Sequence, residues 1–326
     1  GVLRKRYQST SNSFLRLLPD RSIYRNKNYG KINLVETGRG CRHSCEFCSV
    51  SCFFKARYYP RPIEDVVEEI RALPCRNVFF IDDNFVADTQ RAKELMHALI
   101  PLKIRWVGQV SIAAAHDREL LRLMKRSGCA GVLIGFESLE EKNLCRMHKS
   151  INLHAGDYRN CVAALRRCGV AVYGTFVFGY DNDTEEVFQK TLRFAVRNKL
   201  FFAAFNHLVP FPGTPLYARL KKQGVLRYDR WWLQDGYRFG DIAFNPVAME
   251  AKRLEMLCLK YRKKFYGLRS IAYRACDFKA NCSSFLMALV FLIQNLISRM
   301  DVSRRQGLPL GDNREHGGGN LSLIHI

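Results

Sequence analysis

The chain reads as an α/β protein: a partial (βα)6 barrel, meaning an open parallel sheet of six strands, followed by a mainly helical C-terminal region. Three observations carry this. Short apolar runs rich in β-branched and aromatic residues recur six times from Lys31 onward, each separated from the next by a helical pattern. Strand–helix alternation of this kind builds a parallel sheet with crossover helices. Six units fall short of the eight that close a barrel, and past Tyr217 the alternation ends.

In order, strands are expected at Lys31–Glu36, Asn77–Ile81, Ile104–Val110, Ala130–Ile134, Val170–Phe178 and Phe202–Leu208. Helices are expected at Ile63–Leu73, where Val66, Val67, Ile70 and Leu73 share a face, and at Thr89–Ile100, Asp117–Ser127, Tyr158–Cys168 and Glu185–Asn198. Gly128 and Gly169 close two of them. Further helices are expected at Pro246–Tyr266 and Arg269–Ala275. In Ser283–Met300 the apolar stripe Leu286, Leu289, Ile293, Leu296 and Met300 has helical spacing. The longest unbroken apolar run there, Phe285–Ile293, is shorter than the roughly 20 residues of a membrane span. Packing of the stripe on the core or on another domain is the ordinary reading, and a helix lying on a membrane surface is the other.

The chemistry is concentrated after the first strand. Cys41, Cys45 and Cys48 lie within eight residues, spaced x3 then x2, on a loop leaving the strand's C-terminal end. Ligands bind at that end in α/β folds. Three thiolates serving a four-iron cubane leave one iron open, as a catalytic site requires. The competing reading is a structural zinc site with Cys52 or His43 as fourth ligand, although no second Cys-x2-Cys half is visible.

This Cys-x3-Cys-x2-Cys loop, with Phe47 just before its last cysteine, resembles the radical S-adenosylmethionine (SAM) superfamily. The phrases Phe-Ile-Asp-Asp-Asn-Phe85, Gly-Phe-Glu-Ser-Leu139 and Pro-Phe-Pro-Gly-Thr-Pro-Leu216 are similar to its cobalamin-binding subgroup. The resemblance implies a [4Fe–4S] cluster on Cys41, Cys45 and Cys48. It also implies SAM chelated to the open iron and cleaved by one electron to a 5′-deoxyadenosyl radical. Asp82 and Asp83 would hold the methionine ammonium, with an Asx turn as the alternative. Glu137 would hold the ribose diol, with a helix cap as the alternative. Phe47 would pack on adenine, as would the Pro212-Gly213 turn, and Gly179 would let a flat ligand approach the backbone. Cys52 is read as incidental, Asp183 and Thr184 as helix caps, and Tyr58, Arg57 and Arg61 as ordering the loop.

The implied reaction is methylation of an unactivated carbon, with radical cyclisation or rearrangement as alternatives. In the cobalamin-binding subgroup a cobalamin domain precedes the radical core, so the resemblance implies cobalamin held mainly by a domain preceding this chain; no residue here implies it, the Asp-x-His-x-x-Gly signature of lower-ligand binding being absent. The expected partners are a small molecule, lipid-like in one reading, and an electron donor such as flavodoxin or ferredoxin. The reading from another class is a zinc-stabilised binding module that uses a basic surface for nucleic acid or a partner.

Composition bounds these expectations. With 326 residues, 48% hydrophobic and 25% charged, the chain can bury a large core. Of twelve cysteines, four cluster at 41–52 and eight are scattered singly, which together with no visible secretory signal points to the reducing cytoplasm. Fifty-two basic against 30 acidic residues give +22, which favours an anionic partner, substrate or membrane surface. Nucleic acid is not expected, because no RNA-binding motif accompanies the charge. Residues 251–314 hold thirteen basic and four acidic residues, and this charge with the apolar stripe leads us to expect a weak, salt-sensitive peripheral contact with anionic membranes. The domains follow: 1–30 a linker from a missing N-terminal domain, 31–222 the core, 223–315 the helical region and 316–326 a disordered tail. Within the tail, Leu321–Ile326 spells a sequencing-library end in one choice of codons.

Overall fold

The structure is a computed structural model that describes residues 18–24, 27 and 30–309. The tail and most of the expected linker lie outside the described residues.

The elements in chain order are β1 (Asn33–Val35), β2 (Gly38–Gly40), α1 (Ser49–Phe53), β3 (Tyr58–Pro60), α2 (Ile63–Arg71), β4 (Asn77–Phe80), α3 (Thr89–Leu99), β5 (Arg105–Gln109), α4 (Arg118–Arg126) and β6 (Cys129–Glu137). Then come α5 (Glu141–Arg146), α6 (Ser150–Leu153), α7 (Tyr158–Arg167), β7 (Ala171–Phe178), α8 (Glu185–Arg197), β8 (Phe202–His207), α9 (Pro215–Lys222), α10 (Ala251–Phe265), α11 (Leu268–Ala275) and α12 (Phe285–Arg305). Six strands form one sheet in the order β1-β4-β5-β6-β7-β8, parallel throughout. All six expected strands and their intervening helices are present. The short antiparallel pair β2–β3 was not expected, because three-residue strands carry no periodicity.

Alternation along the strands sorts the two faces of the sheet. Val35, Val78, Phe80, Trp106, Val132, Ile134, Phe176 and Phe205 are buried and belong to the main core. Each such side chain contributes about 1.5–3 kcal/mol of burial. On the opposite face Leu34, Ile81, Gln109 and Asn206 are exposed, so this side of the sheet remains open. Helix starts are set by side-chain caps worth about 1 kcal/mol each: Asp88 accepts from Arg91 N in α3, Asp117 from Leu120 N in α4 and Asp157 from Arg159 N in α7.

The helical region shares this core. Helix α10 starts at Ala251, five residues later than expected, and buries Leu254, Leu257, Cys258, Tyr261 and Phe265. Helix α12 departs from expectation. Its buried residues are Phe291 and Asn295, whereas the stripe Leu286, Leu289, Ile293, Leu296 and Met300 is exposed. The stripe therefore does not pack on the core. The cause is Arg274, buried beneath α12, which donates to Asn295 Oδ1 at 3.0 Å and selects the polar-centred face.

Candidate functional site

The cysteine loop leaves β2, and local sterics set its path. Gly40 has φ +81°, and a Cβ there would lie 2.2 Å from the Arg57 carbonyl oxygen, so glycine is required where β2 meets β3. Its N–H donates to Asp83 Oδ2 at 2.8 Å. Further on, Cys48 N donates to Cys45 O at 3.1 Å and Glu46 N to Met147 O at 3.0 Å. Leu216 N returns a hydrogen bond to Glu46 O at 3.0 Å. The Glu46 carboxylate is buried and takes Arg219 Nη2 at 2.7 Å and Nε at 3.2 Å. This fork-like charge-assisted pair locks the loop to α9. Sequence reasoning missed it, because the partners are 173 residues apart, Glu46 is only a spacer position between Cys45 and Cys48, and Arg219 belongs to no motif.

The end of β4 braces the loop from the other side. Asp82 is buried and accepts from Thr37 N at 2.7 Å and from Thr37 Oγ1, tying the ends of β1 and β4 together. Burial pushes its carboxyl up to about 6, against the Thr37 hydrogen bonds. Asp83 is half-buried beside Gly40. Asn84 makes the Asx turn, its Oδ1 accepting from Val86 N at 3.3 Å, while its Nδ2 lies 3.9 Å from Cys41 Sγ. The Arg91 guanidinium ties Tyr58 Oη, Thr37 O and Arg61 O at 2.6–3.1 Å. Arg61 also pairs with Glu69 at 2.7 Å, so Tyr58 and Arg61 are joined through Arg91, whereas Arg57 is exposed.

Glu137 ends β6 in a strained conformation. Its φ is +61°, in the left-handed region costly for a side-chain-bearing residue, and the β6–β7 register shifts between Gly135 and Glu137. Its Oε1 accepts from Lys149 Nζ at 2.8 Å, and both side chains are largely buried. Gly135 makes room for the pair, since a Cβ there would meet Glu137 Oε1 at 2.2 Å and Lys149 Nζ at 3.2 Å. Burial pulls the Lys149 ammonium down, but the Glu137 carboxylate and the Cys45 thiol outweigh it, so its pKa stands above the ordinary lysine value. The ammonium also lies 5.8 Å from the Phe47 ring centroid. Lys149 went unread because it follows a short irregular stretch with no motif of its own.

The remaining expected residues are arranged differently. Gly179 has φ +114°, and the space a Cβ would enter is filled by Leu254 and Phe244, each 3.0 Å away. On that side the C-terminal region, rather than a ligand, makes the close approach. Asp183 is not a simple cap: its carboxylate accepts from Gly179 N, Tyr180 N and Asn143 Nδ2 at 2.7–3.0 Å. Thr184 sits at the N-cap of α8 without a side-chain cap bond. Pro212 and Gly213 are exposed on the turn before α9, and no atom lies within 4 Å of a Cβ built at Gly213. Trp231 plugs this turn from behind, donating to Pro210 O at 2.8 Å.

The donor set suits a cluster in its chemistry. Burial pushes the Cys45 thiol up to about 11 while the Lys149 ammonium pulls it down, and metal coordination deprotonates a thiol outright. All twelve cysteines are free thiols. Among the described residues no three His, Cys, Asp or Glu side chains converge on a point that could hold one metal ion.

Comparison with known proteins agrees with this architecture. Residues 35–195 match the Radical SAM superfamily. The chain is similar to the bacteriochlorophyllide d C-12(1)-methyltransferase of Chlorobaculum tepidum, at 31% identity over 76% of this chain and 54% of the relative. It is similar to the hopanoid C-2 methylase of Rhodopseudomonas palustris at 26% identity, over 60% of this chain and 39% of the relative. The chain thus spans about half the length, or less, of these curated relatives. In fold it resembles the radical SAM methyltransferase TsrM of Kitasatospora setae, solved with cobalamin and a [4Fe–4S] cluster. That TM-score is 0.53 at 15% identity, over 84% of this chain and 61% of that one.

Proposed function

The chain belongs to the Radical SAM superfamily through residues 35–195, and from that premise we propose that it is the radical core of a cobalamin-associated methyltransferase acting on an unactivated carbon. The observation that carries the site is the placing of Cys41, Cys45 and Cys48 on one loop, braced by Glu46–Arg219 and by Asp83, beside the buried Glu137–Lys149 pair.

When bound, the cluster and SAM supply one-electron cleavage of a sulfonium and hence a carbon-centred radical. The chain's own residues hold and orient these groups. Cys41, Cys45 and Cys48 would ligate the cluster. Asp83, half-buried next to Gly40, offers an acceptor for the methionine ammonium. Asp82, with both oxygens on Thr37, sets the loop without touching the cofactor. Glu137 offers its free oxygen to a ribose diol, and Lys149 offers a cation to a carboxylate. Phe47 and the exposed turn at Pro212 and Gly213 would flank the adenine.

The substrate is a largely apolar small molecule. Leu34 and Ile81 are 49% and 44% exposed on the uncovered face of the sheet, interspersed with a few polar groups such as Gln109 and Asn206, a lining suited to such a ligand. The named relatives act on a bacteriochlorophyllide and a hopanoid, both consistent with it. We keep 31–222 as the radical core and 223–315 as its helical region. Cobalamin sits on a domain outside this chain, and a flavodoxin- or ferredoxin-like protein supplies the electron. The compartment is the cytoplasm, with a peripheral contact to the membrane. Anaerobic reconstitution with iron and sulfide tests the core reading: charge-transfer absorption and reductant-dependent formation of 5′-deoxyadenosine are expected. A colourless, zinc-loaded protein inert toward SAM would replace it with the binding-module reading.

A further inference from the structure

We propose that α12 is a monotopic membrane anchor, lying in the plane of an anionic bilayer and docking the end of the barrel opposite the cysteine loop.

Three observations lead there. First, α12 presents a continuous apolar face to solvent. Leu286, Leu289, Ile293, Leu296 and Met300 are each 43–55% exposed, and Phe285 at its start is 87% exposed. Soluble surfaces rarely leave such a patch uncovered. By length and composition this helix could cross a membrane, and only 11% of its apolar window is buried. Second, it is held in a way that rules out crossing. Asn295 is the midpoint of the helix and is fully buried. It accepts from Arg274 Nη2 at 3.0 Å and donates to Phe201 O at 3.3 Å. Beside it Phe291 meets Phe201 edge-on at 5.1 Å. A spanning helix would break these contacts and carry Asn295 into hydrocarbon without a partner. The helix therefore keeps one side on the protein and offers the other, which is the geometry of an interfacial helix. Third, the segment that carries the helix is basic in sequence: residues 251–309 hold twelve basic and three acidic residues, and Arg299, Arg304 and Arg305 lie on α12 itself.

The occupant follows from charge and position. A second copy would bring the same basic region and be repelled, whereas an anionic lipid surface is attracted. A further domain carrying a second cofactor must face the C-terminal strand ends, where the cysteines lie. Helix α12 packs instead at the N-terminal ends, against Phe201 before β8, Ala171 at the start of β7 and Arg105 at the start of β5. The lipid face and the cluster face are therefore at opposite ends of the sheet.

The test is flotation of the whole chain with vesicles of phosphatidylcholine, with or without phosphatidylglycerol, at low and high salt. Leu289→Glu/Ile293→Glu, two exposed changes, serves as the variant. Wild type should float with anionic vesicles and retain a fraction at high salt through insertion. The variant should lose at least tenfold in binding at unchanged circular dichroism and cluster content. Wild type that fails to float, or a variant that floats equally well, overturns the proposal. So does a wild type that is dimeric without lipid and becomes monomeric in the variant, because the face then belongs to a second copy.

Discussion

Both ends of the barrel bury a cation, and they do so on opposite principles. At the cluster end Lys149 is paired with Glu137 at 2.8 Å, on a residue forced to φ +61°, beside a buried thiol. At the far end Arg274 has no carboxylate among its hydrogen-bond partners. It donates to the carbonyls of Leu200, Phe201 and Phe265 and to Asn295 Oδ1 at 2.9–3.1 Å, and its guanidinium lies 3.9 Å from the Phe265 ring centroid. Burial pulls it down only to about 10, so it stays charged at neutral pH. Carbonyl dipoles and a ring face satisfy a guanidinium permanently. A carboxylate–ammonium pair can be opened and re-partnered by a ligand carrying complementary groups. Strain and paired charge mark the end where the cysteines lie, and saturated hydrogen bonding marks the end that carries α12.

The largest effect expected concerns the thiols themselves. Cys41→Ala, Cys45→Ala or Cys48→Ala should each abolish stable cluster incorporation, read as iron and sulfide content after reconstitution. Cys52→Ala, on α1, should retain it. Iron that survives Cys45→Ala and vanishes with Cys52→Ala would move the ligand set.

Next comes the far end. Arg274→Met removes five donated hydrogen bonds and leaves buried carbonyls unsatisfied, a loss on the order of 3–5 kcal/mol. The melting temperature should fall by several degrees and α12 should lose protection in hydrogen exchange. Any protein that remains folded should still assemble a cluster. Unchanged protection across residues 285–305 would show that Arg274 does not hold the helix.

The contrast also explains what was legible in the sequence. The six strands, their order and the cysteine loop could be read because period-2 and period-3.6 patterns and a dense motif are local. Glu46–Arg219 could not, since only folding joins β2's loop to α9. Lys149 could not, since its pairing depends on the bulge at Gly135. The stripe of α12 was found correctly as a stripe. Its direction was not, because periodicity says that a helix has two faces and not which one the core takes. Arg274 decided that through Asn295.

A smaller effect should separate binding from folding at the cluster end. Glu137→Ala and Lys149→Met should each weaken SAM binding roughly ten- to hundredfold by calorimetry, from about 1–3 kcal/mol per lost charge-assisted contact. Each single change also leaves a lone buried charge and lowers stability. In the double variant stability should recover while affinity does not. If affinity recovers with stability, the pair is structural only. Asp83→Ala should weaken binding similarly with the cluster intact.

The smallest effect is a pH slope, and it tests whether the cluster end gives up stability for its charges. Burial raises Asp82 to about 6 from an ordinary 3.8, and Asp183 likewise to about 6. The folded state therefore binds these protons more tightly than the unfolded state. Their favourable contribution is fully present below the unfolded value and is lost as pH rises through the folded one. Wild type should thus lose stability between about pH 4 and pH 7 through these groups. Asp82→Asn can still accept from Thr37 N and carries no proton to lose. Its stability should fall less over the same window, by a difference on the order of 1–3 kcal/mol, measured as urea midpoints at each pH. Arg274→Met should run parallel to wild type there, because a group titrating near 10 contributes no slope below pH 7. Parallel curves for wild type and Asp82→Asn would mean that Asp82 is ionised throughout and that Thr37 alone compensates its burial.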